Sequence, residues 1–313
     1  MDLSICIVSY ECREKLRRCL ESIRAHRPTA AHEVVVVDNG SRDGTVDMLR
    51  SEFYWVRLTA NPENRGFSAA CNQAVAVATG SVLMMLNPDT EVTHGALEGL
   101  LRFVRERSWI GAVGPKLQTP DGQAETSCRE FPTLMNAIWN FTGLSQTFSK
   151  SKVFGHYEMT WWDHAEPRPV DWLSAAALMF TRTAWDQVGP LDEDFFLQAA
   201  ELDWQKRLAR HGLERWYLPT VQIVHHPGRS WGGDEADEVL PLHRAAFLYF
   251  RKNHSALSSL ALRLIALAVA LPRAMWNDLR SLSPASRDAA RNAAKLNWSL
   301  CALAVGLGGR GGR

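Results

Sequence analysis

Two apolar runs that each stop on an acidic turn constrain this chain more than any other feature. Val34-Val35-Val36-Val37 leads into Asp38-Asn39-Gly40-Ser41, and Val82-Leu83-Met84-Met85-Leu86 leads into Asn87-Pro88-Asp89-Thr90. Short unbroken apolar runs read as strands buried on both faces, the pattern of a parallel sheet. Strands are predicted over residues 3–9, 33–37, 55–58, 82–86 and 110–113, the last ending at Gly114-Pro115. Helices are predicted between them, over 13–26, 44–51, 68–78 and 95–107. This alternation implies an α/β fold with a parallel core and right-handed crossovers. Ligands of open α/β sheets bind beyond the carboxyl ends of the strands. Asp38 and Asp89 are therefore expected at one edge, where together they suit a charged ligand with a metal. Taken singly, each reads as an ordinary strand-end turn carboxylate.

The pattern loosens after residue 115. Residues 116–169 are irregular and aromatic, with Trp139, Phe148, Phe154 and Trp162 among them, and read as a lid or a subdomain with its own small core. Residues 170–181 return to the sheet, 201–211 form a helix stopped by Gly212, and 221–224 form a strand. After His254 the chain is helix-like, with breaks expected at Pro272, at residues 281–284 and in the final Gly-rich residues. The organisation expected is thus 1–115 as a ligand-binding half, 116–250 as the second half of the same domain, and 251–313 as a basic, amphipathic helical tail.

With 313 residues, 46% of them hydrophobic, the chain can bury a sizeable core. Its net charge of +1 hides an asymmetry: residues 251–313 carry +8 and the remainder −7. A basic module on an acidic body points to an anionic partner. No nucleic-acid motif accompanies the basic tail, so a membrane surface is favoured and nucleic acid set aside. The apolar stretch 256–271 has 16 residues, short of the roughly 20 that span a bilayer. With Trp276 and Trp298 the tail reads as helices lying in the interface; packing on the body or against a second copy in a homodimer is the alternative. Six cysteines form no CxxC pair, which implies a reducing compartment and no structural zinc, with Cys6 and Cys71 buried. The opening residues read as a strand and not as a signal peptide.

Several side chains have the right chemistry for a site, each with a plainer explanation beside it. Asp38 can accept from the imino N–H of a uracil or thymine, or cap the following helix. Arg65, in the polar loop Asn61 to Phe67, can neutralise a phosphate where Gly66 allows close backbone approach, or simply be solvated. The chain has neither GxxxxGK[ST] nor GxGxxG after its first strand, which sets aside P-loop and Rossmann readings. Asp89 suits Mg²⁺ or Mn²⁺, which take one or two carboxylates together with diphosphate oxygens. Asp203 stands four residues before Arg207, a helix-face ion pair, whereas Glu201 has Gln205 at that spacing and is the better general base. His225 can bind metal or steady a diphosphate, and Arg229 can contact a phosphate.

One ordered set of motifs gathers these residues. Val8-Ser9-Tyr10, Val36-Val37-Asp38-Asn39-Gly40-Ser41, Asn64-Arg65-Gly66-Phe67, Asn72 and Leu86-Asn87-Pro88-Asp89-Thr90 come first. Val170-Asp171-Trp172-Leu173-Ser174, Leu191-Asp192-Glu193-Asp194-Phe195-Phe196, Glu201-Leu202-Asp203, Arg207 and His225 through Ser230 follow. Over residues 3–231 the set resembles the family-2 glycosyltransferases of GT-A fold, especially the bacterial rhamnosyltransferase-like branch. The resemblance implies a GT-A-type nucleotide-sugar-binding sheet and inverting transfer of a sugar from a nucleotide diphosphate, assisted by Mg²⁺ or Mn²⁺. Ser9, Tyr10, Asp38, Asn39, Arg65, Asn72, Asn87, Asp89 and Arg229 would then bind the donor, with Asp38 on the pyrimidine. Asp89 and His225 would hold the metal, and Asp171 and Trp172 would lie near the acceptor. Glu201 would deprotonate the acceptor hydroxyl, with Asp203 the fallback. Branch resemblance favours dTDP-rhamnose over UDP-galactofuranose, UDP-glucose or UDP-GlcNAc, and a lipid-linked glycan acceptor at the cytoplasmic face of the membrane. Two departures stand out. Ala200 occupies the place of an acid that usually precedes the base, and Ala175 the place of a glycine, so a catalytically impaired nucleotide-sugar binder is the alternative.

Overall fold

The computed structural model describes residues 1–226, 235–283 and 287–307. Two compact units are present: residues 1–131 with 157–231, and residues 132–156 with 232–313. This division lies elsewhere than the expected boundaries at 115 and 250, because the segment 132–156 groups with the tail.

The first unit alternates as the sequence predicts. In chain order it begins β1 (Leu3–Ser9), α1 (Arg13–Ala25), β2 (His32–Asp38), α2 (Thr45–Glu52), β3 (Arg57–Ala60), α3 (Phe67–Val77), β4 (Val82–Leu86), β5 (Thr90–Val92), α4 (Ala96–Arg105) and β6 (Ile110–Gln118). Short β7 (Ala124–Glu125) and β8 (Cys128–Arg129) precede the second unit's α5 (Leu134–Phe141) and α6 (Leu144–Thr147). The first unit resumes with β9 (Arg168–Val170), β10 (Trp172–Leu173), β11 (Ala177–Thr181), α7 (Arg182–Val188), α8 (Ala200–Arg210) and β12 (Glu214–His225). The long sheet runs β3-β2-β1-β4-β11-β6-β12-β5. β3, β2, β1 and β4 are mutually parallel, β11 is antiparallel to β4 and β6, and β12 is parallel to β6. Strands β1, β2 and β4 are almost wholly apolar and buried because helices cover both faces. Leu16, Cys19, Leu20 and Ile23 of α1 and Leu97, Leu100, Leu101 and Val104 of α4 supply apolar faces at helical spacing.

Three predicted boundaries move. β3 starts two residues later than expected, because Phe53 turns inward and Trp55 packs edge-on against it at 6.2 Å. β6 continues through Gly114-Pro115. Pro115 pairs with Leu218 where the β12 register jumps to Gln222, so the missing N–H falls at a bulge. Residues 170–181 are three short strands, of which β11 alone lies in the middle of the sheet.

The second unit adds α9 (Glu235–Asn253), α10 (Ala256–Arg280) and α11 (Arg287–Ala304). The aromatic segment does have a small core here, with Trp139 packed edge-on and Phe148 tilted against Phe154 at 4.9 and 5.4 Å. α10 does not break at Pro272, whose ring is exposed together with Ala268, so the lost backbone bond lies on the solvent side. The resulting 25-residue helix has a mean hydropathy of 1.6 over its best window, long and apolar enough by composition to cross a membrane. The expected 16-residue limit is therefore too short. Arg263 of α10 donates to the carbonyls of Leu303 and Ala304, and Trp298 donates to Asp278, which zips α10 to α11.

Candidate active site

The parallel strands end together, and their register places the first acids. Ser9 pairs with Asp38 across β1 and β2, while Ile7 pairs with Leu86 across β1 and β4. β2 and β4 thus flank β1, about 10 Å apart at ordinary strand spacing, and discharge Asp38 and Asn87-Pro88-Asp89 at the same edge. Cys12, at the start of α1, senses both acids. Burial above all, with the charges of Asp43, Asp89 and Asp38, pushes its thiol up to about 12.

Asp38 is fully buried. Its carboxylate accepts from the Ser9 and Ser41 hydroxyls at 3.0 and 2.7 Å and from the Ser41 N–H at 2.9 Å. Asn39 ties this turn to the next loop. Its amide donates to Asn64 Oδ1 and the Gly66 carbonyl and accepts from the Arg65 N–H and Asn61 Nδ2. Arg65 keeps an exposed side chain above that loop, and Tyr10 is half-buried at the end of β1.

The same loop carries the base candidate's support. Gly66 has φ +85°, and a Cβ there would meet the carbonyl and ring of Phe196 at 2.7 Å. Phe67 N–H donates to the Phe196 carbonyl at 2.6 Å, and the Ser68 hydroxyl donates to the Phe195 carbonyl. Asn72 grips the same segment, donating to Leu191 O and Glu193 and accepting from the Leu191 N–H. The structure thus engages Asn72 in loop positioning. α8 follows directly, with Ala199 in the left-handed region and Ala200 fully buried. Buried Gln205 exchanges hydrogen bonds with the Leu173 backbone and donates to the Glu201 carbonyl, fixing the first turn against the segment that enters β11. That segment reaches the Asn87 turn, where Asn87 N–H donates to Ala176 O. Gln205 and Leu173 thus tie the first turn of α8, which carries Glu201, to the segment that reaches the Asn87 turn. Burial holds its carboxyl above the usual carboxylate range, against the pull of Arg129. Asp203 instead pairs with Arg207 at 3.0 Å, as the spacing predicts.

Around Asp89 the structure assembles groups that no sequence spacing relates. His225 Nε2 lies 3.4 Å from Asp89 Oδ1, and its Nδ1 is 2.7 Å from Glu125. Burial works against the imidazolium, but the two carboxylates outweigh it and raise His225 to about 9. Burial raises Asp89, and His225 and Lys15 more than reverse that, leaving it below the ordinary range. Lys15 Nζ stands 3.6 Å from Asp89 Oδ2. His226 turns away to Glu91 at 2.7 Å. Among the described residues no group of three His, Cys, Asp or Glu could hold a metal. A carboxylate oxygen facing an imidazole nitrogen, itself braced by a second carboxylate, still fits a divalent cation that takes its other ligands from a diphosphate and water.

Asp171 and Trp172 are drawn into packing. Asp171 accepts from the Phe131 N–H at 2.7 Å and lies 3.5 Å from Arg215, while the mostly buried Trp172 donates to Glu130 O. Asp171, Glu130 and Arg215 line one pocket, where burial and the Asp171 carboxylate raise Glu130 to about 7. Arg229 lies outside the described residues. Sequence reasoning missed Lys15, Glu125, Gln205 and Glu130. Lys15 alone left a trace, as a cation in the first turn of a helix, where the dipole disfavours it.

A sheet of this order, with its acids at the carboxyl edge, is the GT-A fold of nucleotide-sugar-dependent transferases. The fold matches the Pyrobaculum calidifontis mannosyltransferase PcManGT, solved with GDP-Man and Mn²⁺, at a TM-score of 0.57 and 19% identity over 97% of this chain and 86% of that one. It also matches GalNAc-T7, solved with UDP, GalNAc and Mn²⁺, at a TM-score of 0.58 and 15% identity over 80% of this chain and 48% of that one. The glycosyl transferase family 2 model matches residues 4–156. The N-acetylglucosaminyl-diphospho-decaprenol L-rhamnosyltransferase of Mycobacterium tuberculosis is 28% identical over 81% of this chain and 85% of its own length. These matches support a family-2 glycosyltransferase of the rhamnosyltransferase type.

Proposed function

We propose that this chain moves rhamnose from dTDP-rhamnose to a lipid-linked glycan acceptor, with inversion, at the cytoplasmic face of the cell membrane during cell-envelope glycan synthesis. The reading is supported by the parallel strands β2 and β4, which discharge Asp38 and Asp89 at one sheet edge, and by the ties of Glu201's helix to the segment that reaches that edge. The mycobacterial relative's name, a rhamnosyltransferase acting on a lipid diphosphate-linked sugar, supports the substrate class.

Each residue then has a physical task. Asp38, held by Ser9 and Ser41, offers a carboxylate to the base's imino N–H. Arg65 lies in the loop pinned by Asn39 and compensates phosphate charge. Asp89 and His225 would hold Mg²⁺ or Mn²⁺, which supplies Lewis-acid neutralisation of the leaving diphosphate. Glu201, with its raised proton affinity, takes the acceptor hydroxyl's proton on the face opposite the leaving group. Ala200 favours the one-acid version of this site over an impaired binder: its position is fully buried, so an acid there would bear a desolvation cost without facing a substrate.

The tail supports membrane association. Leu257, Leu260, Leu264, Leu271, Met275 and Leu279 of α10 are 37–76% exposed and recur at three-, four- and seven-residue spacing. Leu262, Ala266, Ala270 and Ala274 form the opposite, buried stripe. A helix with one apolar stripe packed and another in water, on a segment carrying +8, suits the surface of an anionic bilayer.

A panel of dTDP- and UDP-sugars, screened by thermal shift with and without Mn²⁺ and then for nucleoside diphosphate release, tests the proposal. Release from dTDP-rhamnose in the presence of a polyprenyl-diphosphate-linked GlcNAc acceptor is expected. Metal-dependent binding without release from any donor would favour the impaired binder.

A further inference from the structure

Lys15 is a charged group beside Asp89 that the proposed chemistry leaves unused. It lies in the first turn of α1, where the aligned peptide dipoles disfavour a cation. Its Nζ is buried and makes no hydrogen bond among the described residues, although the side chain as a whole keeps 26% of its surface exposed. Asp89 stands 3.6 Å away, close enough for attraction and too far for a hydrogen bond. An ammonium has three N–H donors, and removing them from water without partners is costly. A cation placed against the helix dipole, with Asp89 as an ion-pair partner but no hydrogen bond to its ammonium among the described residues, is set for a further anion.

The surroundings say which anion. Asp89 is bracketed, with His225 3.4 Å from one carboxylate oxygen and Lys15 3.6 Å from the other. The bracket sits at the edge where the parallel strands end and α1 begins. Resting on the donor reading above, we infer that Lys15 is a diphosphate-binding residue: its ammonium donates to the phosphate oxygens of a nucleoside diphosphate from the side of Asp89 opposite His225. The same charge restrains Asp89 while no cation is bound, so Lys15 favours the diphosphate and weakens Mn²⁺ binding by the protein alone.

These two effects have opposite signs, and that makes them separable from a structural role. Calorimetric titration of the full chain with dTDP, UDP and inorganic pyrophosphate, first with EDTA and then with Mn²⁺, is compared among wild type, Lys15→Met and Lys15→Arg. Lys15→Met is expected to weaken binding of the bound nucleotide about tenfold or more, and Lys15→Arg to stay within about threefold because it keeps the charge. Mn²⁺ titrated alone is expected to bind Lys15→Met as tightly as wild type or more tightly. Loss of both nucleotide and Mn²⁺ affinity in Lys15→Met would show a merely structural residue and overturn the inference. Equal nucleotide affinity in wild type and Lys15→Met would overturn it as well, leaving the donor reading intact. Wild type that binds neither dTDP nor UDP would overturn the donor reading and this inference together.

Discussion

Replacing Gly66 with alanine probes the joint between the Asp38 turn and the Glu201 helix. Gly66 has φ 85° and ψ 163°, a combination open to glycine and strained for any other residue. Holding alanine there costs about 1–3 kcal/mol. The new methyl would also lie 2.7 Å from the Phe196 carbonyl and ring, a contact with backbone that a side-chain rotation cannot relieve. Overpacking of this kind adds about 1–3 kcal/mol, for a total near 4 kcal/mol. Gly122 is the control: its φ is +83°, yet nothing lies within 4 Å of its missing Cβ. Gly122→Ala should cost only the backbone share, about 1–2 kcal/mol. Urea unfolding followed by circular dichroism is expected to separate the variants by about 2 kcal/mol or more. Because the displaced loop leads into α8, Gly66→Ala should also slow nucleoside diphosphate release by about 10²-fold, as misplacement near 1 Å does elsewhere. Equal destabilisation by the two variants would refute the close-approach argument, and unchanged turnover in Gly66→Ala would detach Glu201 from this loop.

Three further outcomes can be checked. Glu201→Gln should lower kcat by about 10²–10⁴-fold while keeping nucleotide affinity, and the acid limb of wild-type kcat/KM should lie above the ordinary glutamate range, since burial favours the protonated carboxyl; retained turnover would move the base to Asp203. Glu130, raised to about 7 from 4.5, costs the fold stability as pH rises through that window, because the unfolded chain loses its proton first. Glu130→Gln should therefore be more stable than wild type at pH 8 by about 1–2 kcal/mol, after allowance for solvent around a half-buried group, with no gain at pH 4 in thermal unfolding. Glu125→Gln should weaken Mn²⁺ binding about 10–100-fold by titration, because Glu125 orients the His225 ring.

What could be read in advance follows the range of the interactions. The apolar runs 34–37 and 82–86 became buried parallel strands because burial on both faces is written in local composition. Asp203 pairs with Arg207 and Gly212 terminates α8 with φ +75°, both set by helix geometry within a few residues. Tertiary support altered elements whose local signal was a breaker: the β12 bulge carries β6 past Pro115, and α10 passes Pro272.

By itself, the sequence determined that a parallel sheet would form and that Asp38 and Asp89 would leave it at the carboxyl ends, since strand length, burial and turn chemistry depend on neighbours in the chain. Only the tertiary structure decided what surrounds them. Lys15 lies 74 positions from Asp89, His225 meets Glu125 across 100, and Asn72 grips Leu191 across 119. Such pairings depend on the strand order and on how α1, α3 and β12 reach its edge, and residue spacing carries no record of that.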